Sequence, residues 1–262
     1  MPENPSRWLA LDIGNTQTVA GLFEVDARGA KTALVASARF KTEPDLAAQD
    51  WLTRLASLMN PQSRVDRVLV ASVVPSVKTA LAQAFSGIPW LWIDSSLKRN
   101  FELKLPHPEQ LGADRLANVA GALARFEPPF VIVDAGTATT FCLVDEYRRY
   151  LGGSIVAGME TAFNALAGRA ARLFEVEWSR PKSTLGNTTE TQLQSGIFQG
   201  HEALIEGMTL RLLREGLPGS QGVRRILTGG WGHLLDLSGQ GFEFIPTLTL
   251  EGLIRLGWEN RE

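Results

Sequence analysis

The strongest constraint on the fold is a turn that occurs twice. Leu9 to Phe23 reads LALDIGNTQTVAGLF, an apolar strand broken by Asp-x-Gly-x-Thr and resumed as a second apolar strand, and Val131 to Asp145, VIVDAGTATTFCLVD, repeats that grammar. Strand, polar turn and strand together predict a β-hairpin. The two aspartates, Asp12 and Asp134, stand nearly half the 262-residue chain apart. That period is too long for a solenoid and points to two similar halves. The expectation is an α/β protein made of two duplicated domains.

The intervening segments fit alternating strands and helices. Asp45 to Met59 is bounded by Pro and Asp and carries Leu46, Leu52, Leu55 and Met59 at helical steps. Arg67 to Val74 (RVLVASVV) reads as a buried strand, Pro75 opens a helix to about Phe85, and Trp90 to Ile93 is a short strand. Residues 94–111 are polar and contain LPHPEQ, the best candidate for a crossover, and Gly112 begins a helix through Arg125. The domains are therefore expected at 1–111 and 112–262. Later come helices over Phe163 to Leu173 and Thr189 to Glu215, a Pro- and Gly-bearing loop between them, and a strand from Arg224 to Leu227 ending in TGGWG. A last helix, Leu248 to Asn260, could pack back on the first domain.

Composition removes several function classes. Lys and Arg number 26 against 28 Asp and Glu, so the basic excess that phosphate neutralisation usually leaves on a nucleic-acid binder is missing. No nucleic-acid partner is expected. The first residues, MPENPSRW, lack a basic stretch followed by an apolar core, and no run of about eighteen apolar residues occurs. Neither export nor membrane contact is expected, and the lone Cys142 fits a reducing, cytoplasmic setting. His107, His201 and His233 form no zinc spacing. GxxxxGK[ST], a GxGxxG after a strand, and GxSxG are likewise absent.

The repeated turn has a chemical reading. Glycine between a carboxylate and a threonine removes the Cβ obstacle, so backbone N–H groups can approach an anion closely. Aspartate would repel phosphate unless a cation lies between them. Two such turns suggest a nucleotide with metal, although Asp-Gly is also good hairpin chemistry and Thr a good strand former. Thr228, Gly229 and Gly230 could pass close to a flat base or ribose, or could simply turn the chain into a following helix. Trp231 beside them is a candidate adenine contact, whereas His201 and His233 read as hydrogen-bonding helix residues. Gly112-Ala-Asp-Arg opens a helix, where Asp114 gains about 0.3–1 kcal/mol from the backbone dipole, so helix capping accounts for it on spacing alone.

In combination the motifs are specific. Asp12-Ile-Gly-Asn-Thr-Gln-Thr, Ala71-Ser-Val-Val-Pro, Gly112-Ala-Asp-Arg, Asp134-Ala-Gly-Thr-Ala-Thr-Thr, Gly152-Gly-Ser-Ile, Gln194-Ser-Gly-Ile and Thr228-Gly-Gly follow in an order that closely resembles type III pantothenate kinases. The likeness runs from about Leu9 to Leu256. It implies the acetate and sugar kinase, Hsc70 and actin fold, with two ribonuclease-H-like domains, mixed sheets and an interdomain cleft, assembled as a homodimer. It implies an ATP-dependent phosphorylation of pantothenate to 4'-phosphopantothenate, the first step of coenzyme A synthesis.

Residue by residue, the resemblance assigns ATP phosphate contacts to Asp12, Ile13, Gly14, Asn15, Thr16, Gln17, Thr18 and Val19, with Thr137 also on ATP. Asp134 would bind a monovalent cation, K⁺ or NH4⁺, while Mg²⁺ accompanies ATP. Gly112, Ala113, Asp114 and Arg115 would hold pantothenate, with Asp114 as the catalytic base and Thr189 as a second substrate contact. Two positions depart from the family pattern: Leu105 stands where a tyrosine is frequent, and Cys142 where an aspartate is common. A thiol cannot replace a fixed charge. Cys142 is the feature that would favour a noncatalytic regulatory or ligand-sensing relative; the bland alternative for it is a small buried strand residue.

Overall fold

A computed structural model describes residues 5–26, 29, 32–59, 64–168 and 176–261. Along the chain run β1 (Ser6–Ile13), β2 (Gln17–Val25), β3 (Thr32–Lys41), α1 (Ala48–Leu55), β4 (Arg67–Ser72), α2 (Val77–Ala84), β5 (Trp90–Trp92), β6 (Glu102–Leu103) and α3 (Ala113–Arg125). Then follow β7 (Phe130–Ala135), β8 (Ala138–Val144), β9 (Arg149–Gly152), β10 (Ile155–Ala157), α4 (Met159–Ala167), α5 (Thr189–Gly216), β11 (Arg224–Thr228), β12 (Phe242–Phe244) and α6 (Leu248–Glu259). The chain divides into two compact units, one of residues 1–101, 106–126 and 248–262, the other of residues 102–105 and 127–247. Helix α3 therefore groups with the first unit, where the sequence reading opens the second domain at Gly112, and α6 lies in that first unit too.

The first unit carries a five-stranded sheet in the order β3-β2-β1-β4-β5, antiparallel from β1 outward to β3 and parallel from β1 to β5. Its inner strands LALDI and RVLVAS are apolar almost throughout because both faces are covered. Leu9, Leu11 and Ile13 pack with Val68 and Val70 against Trp51 and Leu55 of α1 and Leu81 of α2. By strand alternation Trp8, Ala10 and Asp12 take the other face, where α6 packs on β1 and β4 and α3 on β4. Trp8 meets Trp258 there, with ring centroids 6.0 Å apart. Helices α3 and α6 are joined by Thr249 Oγ1 donating to Asn118 Oδ1 at 2.7 Å and by the two-pronged Arg125–Glu251 pair.

The second unit repeats the scheme. Its sheet runs β12-β11-β7-β8-β9-β6, with β10 added on β8. From β9 to β12 the strand order and the sense of each pairing match those from β3 to β5: antiparallel through the hairpin, parallel beyond it. Val133, Ala135, Phe141 and Leu227 pack against Met159 and Phe163 of α4 and Ile197, Phe198 and Ile205 of α5. The protein is thus an α/β fold with mixed sheets. The helix expected over Phe163 to Leu173 begins four residues earlier, at Met159, and residues 169–175 lie outside the described residues. The segment after Thr228-Gly-Gly forms only a short 3-10 turn, Gly232–Leu234, in place of the expected helix, so His233 is an exposed turn residue.

Candidate active site

Both acid-glycine turns are hairpin tips. In the first, Ile13 pairs with Thr18, and Gly14 N–H donates to the Gln17 carbonyl at 3.0 Å, closing a four-residue turn. Asn15, Thr16 and Gln17 are exposed at its apex, Thr18 is buried, and Asp12 sits half-buried in register with Val19 on one side and Ala71 on the other. The turn is braced: Thr42 N–H donates to the Thr16 carbonyl at 2.9 Å, and the Thr42 and Thr18 hydroxyls lie 2.9 Å apart. Ala71-Ser-Val-Val-Pro folds against the same strand end, since Val73 N–H donates to the Ile13 carbonyl at 3.1 Å and Ser72 Oγ accepts from Val74 N–H at 2.9 Å.

In the second turn Ala135 pairs with Thr139, and Gly136 N–H reaches the Ala138 carbonyl at 3.1 Å. Thr137 is exposed at the tip. Its carbonyl accepts from Gly158 N–H at 3.0 Å and from Thr161 Oγ1 at 2.7 Å, which pins the tip to the N-terminus of α4. Asp134 is half-buried, in register with Thr140 of β8 and Thr228 of β11. Gly229, with φ +95°, lets the chain turn away from β11 against Asp134: a Cβ there would lie 2.5 Å from Asp134 Oδ1 and from Ala135 N. Trp231 N–H then donates to the Ala135 carbonyl at 2.9 Å. Thr228-Gly-Gly therefore packs on the second turn, an association no local sequence signal carries.

Gly112 is the N-cap of α3, and Asp114 and Arg115 stand half-buried in its first turn. Gly112, having no side chain, cannot itself cap the helix. The Asp114 carboxylate instead folds over Gly112, occupying the space that a Cβ at that position would need. The glycine of this motif thus has a steric role: any larger residue displaces the carboxylate. Asp12 and α3 belong to the same unit and the same face of its sheet.

Thr189 begins α5 and is exposed, because the helix is capped by its neighbours. Thr188 Oγ1 accepts from Thr191 N–H at 3.2 Å, and Thr191 Oγ1 accepts from Thr188 N–H at 3.0 Å. The segment leading to Thr189 is strapped to α5. Gln194 Nε2 donates to the Glu177 carbonyl at 3.1 Å, Ser195 Oγ donates to the Thr184 carbonyl at 2.7 Å, and Arg180 forms a two-pronged pair with Glu202. Gln194-Ser-Gly-Ile is therefore a brace for that segment. Glu202 also accepts from Asp236 N–H at 2.6 Å, and its hydrogen bond to Arg180 raises the guanidinium's affinity for its proton.

Three remaining residues resolve simply. Trp231 stacks on Trp178, centroids 5.0 Å apart and planes 23° from parallel, so one of its faces is already covered. His201 is buried on α5 with Nε2 2.8 Å from Thr139 Oγ1, and burial pushes its pKa down, against a smaller upward pull from Glu202. Cys142 is buried to 1% exposure in β8, opposite Ile132.

Comparison with known proteins gives a consistent result. A family model described as type III pantothenate kinase matches residues 8–211. A type III pantothenate kinase of Thermus thermophilus is 36% identical over 259 residues, covering 96% of this chain and 98% of the relative. One of Solibacter usitatus is 32% identical over 262 residues, covering 96% and 95%. Among solved structures, the ethanolamine utilization protein EutJ of Carboxydothermus hydrogenoformans superposes with a TM-score of 0.56 at 14% identity, covering 98% of this chain and 91% of that one. That last likeness is one of fold alone.

Proposed function

Because the chain belongs to the type III pantothenate kinase family, we propose that its two acid-glycine turns and its Gly112 to Arg115 helix start divide the work of one phosphoryl transfer. The reaction is the ATP-dependent phosphorylation of pantothenate to 4'-phosphopantothenate in coenzyme A synthesis.

Phosphoryl transfer asks a protein for in-line placement and charge neutralisation more than for covalent help. The exposed tip of the first turn, Asn15 to Gln17, offers backbone N–H groups to ATP phosphates, with Asp12, Ile13, Gly14, Thr18 and Val19 fixing its base. Thr137 and the first turn of α4 beside it offer the same kind of donors. Ala113 and Arg115 orient pantothenate, and Thr189 adds a contact from the start of α5.

Asp114 is the catalytic base. As the primary hydroxyl oxygen of pantothenate bonds to the γ-phosphorus, the bond from that phosphorus to the ADP oxygen breaks, and the hydroxyl proton passes to the Asp114 carboxylate. A positioned base of this kind contributes on the order of 10²–10⁴-fold. The observation that carries the assignment is the Asp114 carboxylate folded over Gly112 at the head of α3.

Among the described residues no cluster of three or more His, Cys, Asp or Glu could hold a metal ion. A lone carboxylate such as Asp134 suits a singly charged cation, or a divalent one that brings its own phosphate and water oxygens. We assign Asp134 to K⁺ or NH4⁺, with Mg²⁺ arriving on ATP. Bound cations would supply charge neutralisation of the phosphates.

No helix among the described residues is long and apolar enough to cross a membrane, which is compatible with a cytoplasmic enzyme. A homodimer fits the exposed position of Thr189. The test is purified protein with ATP, MgCl2, KCl and pantothenate, followed by detection of phosphorylated product. Turnover that collapses when Na⁺ replaces K⁺ is expected. Absence of product across cation conditions would overturn the reading, and cation-independent turnover would remove Asp134 from its role.

A further inference from the structure

Asp134 does not stand alone in its row of the sheet. Thr140 is its partner across the antiparallel pairing with β8, and Thr228 its partner across the parallel pairing with β11. Residues in register on neighbouring strands carry their side chains on one face, with strands about 4.8 Å apart. Val133, Ala135, Phe141 and Leu227 face α4 and α5, so Thr140, Asp134 and Thr228 share the opposite face.

Both hydroxyls are buried, Thr140 at 9% and Thr228 at 1% exposure, and neither Oγ1 has a hydrogen-bond partner among the described residues. A buried hydroxyl without a partner is costly and rare in a folded protein, and two of them flanking one carboxylate call for a common explanation. The neighbouring Thr139, on the other face, has its hydroxyl engaged by His201 at 2.8 Å. Among the described strand residues the unmet threonine hydroxyls are thus the two that flank Asp134, the remaining one being Thr209 on α5.

The first unit supplies a control. There the equivalent row is Val19, Asp12 and Ala71, in the same hairpin and parallel-strand arrangement. The flanking oxygens are peculiar to the second turn. Gly229 adds a further point: its missing Cβ leaves room for Asp134 Oδ1 at the end of β11, immediately after Thr228.

We propose that Thr140 and Thr228 are the neutral oxygen ligands that, with the Asp134 carboxylate between them, make this row a site for a singly charged cation of the size of K⁺. One carboxylate and two hydroxyls bring a single negative charge, which balances one positive charge and leaves a divalent ion short of anionic ligands. The inference rests on the assignment of Asp134 above and extends it to Thr140 and Thr228.

The test uses thermal melting of the whole protein. Thr140→Val, Thr228→Val and Asp134→Asn are compared with the unmodified chain, first in choline chloride and then in a KCl titration at constant ionic strength with a non-hydrolysable ATP analogue. The unmodified protein should show a saturable rise in Tm with K⁺. Each Thr→Val variant should melt at or above the unmodified protein in choline chloride, since valine removes an unmet polar group while keeping the shape. Its half-saturating K⁺ should rise about tenfold or more, in line with what loss of a supporting group costs a metal site. A Thr→Val variant that keeps the normal K⁺ response while Asp134→Asn loses it would overturn the role of the threonine alone. Valine variants that melt well below the unmodified chain in choline chloride would show that the hydroxyls serve the fold, and would overturn it too. If the unmodified protein shows no response to K⁺, the assignment of Asp134 falls as well.

Discussion

Trp178 stacks on Trp231, joining the segment that leads to Thr189 to the turn that follows β11. Phe163 and Phe198 meet Trp178 edge-on, at 5.8 and 6.2 Å between centroids. An aromatic cluster of this kind holds a segment that has little regular structure of its own. Trp178→Ala should lower stability by about 2 kcal/mol, less than a fully buried site would lose because Trp178 is only half-buried. It should also raise the KM for pantothenate more than that for ATP. Denaturant melts and steady-state kinetics check both, and equal changes in the two KM values would detach this segment from substrate binding.

Asp114→Asn keeps the shape of the side chain and removes its ability to take a proton. The expected result is a kcat lower by about 10²–10⁴-fold, with nucleotide affinity close to normal. Rapid-quench measurement of the chemical step, beside a nucleotide titration, decides it. An unchanged kcat would end the role of Asp114 as base.

Gly229→Ala should be more damaging than an ordinary glycine change. The backbone at φ +95° is strained for any L side chain, and the new methyl would press on Ala135 N and Asp134 Oδ1 at 2.5 Å. The loss should exceed about 2 kcal/mol, and K⁺ dependence should weaken in whatever folded protein remains. A variant as stable as the parent, with intact cation dependence, would contradict the packing described for this turn.

His201 gives a pH prediction with a definite sign. Burial holds its folded-state pKa below the ordinary 6.5. As pH falls below 6.5, the unfolded chain takes up a proton that the folded one resists, so this histidine draws stability away as the pH drops toward its folded-state pKa. Above 6.5 its contribution is fully present. In His201→Gln the stability curve should be flatter between neutral and mildly acidic pH, as read by urea midpoints at successive pH values. An unchanged slope would show that other groups set the acid sensitivity.

What the sequence discloses and what it hides follow the range of the interactions involved. The hairpins at Asp12 and Asp134 are visible because strand, turn and strand are contiguous, and the helix at Gly112 because its start and apolar period are local. β3 goes unnoticed: as an edge strand it is largely exposed, and TALVASARFK lacks the clean apolar alternation that marks a half-buried strand. The three-residue β10 and β12 are too short to leave a pattern. At the proposed site, Asp114 and the two turns are the parts that motif alone suggests. The row of Thr140, Asp134 and Thr228 is not, because only the register of three strands brings Thr228 beside the hairpin. The brace made by Gln194 and Ser195 is hidden for the same reason, since its partners lie in a loop before the helix.

The place of α6 also bears on how the protein is made. The first unit draws this helix from residues 248–262, after all of the second unit's chain has been synthesised. Leu248, Leu250, Leu253, Ile254 and Leu256 are buried, and β1 and β4 depend on the helix for cover. A nascent chain on the ribosome must therefore carry β1 and β4 without this cover until the second unit's residues have been made, and a premature stop codon before Leu248 would leave those strands bare.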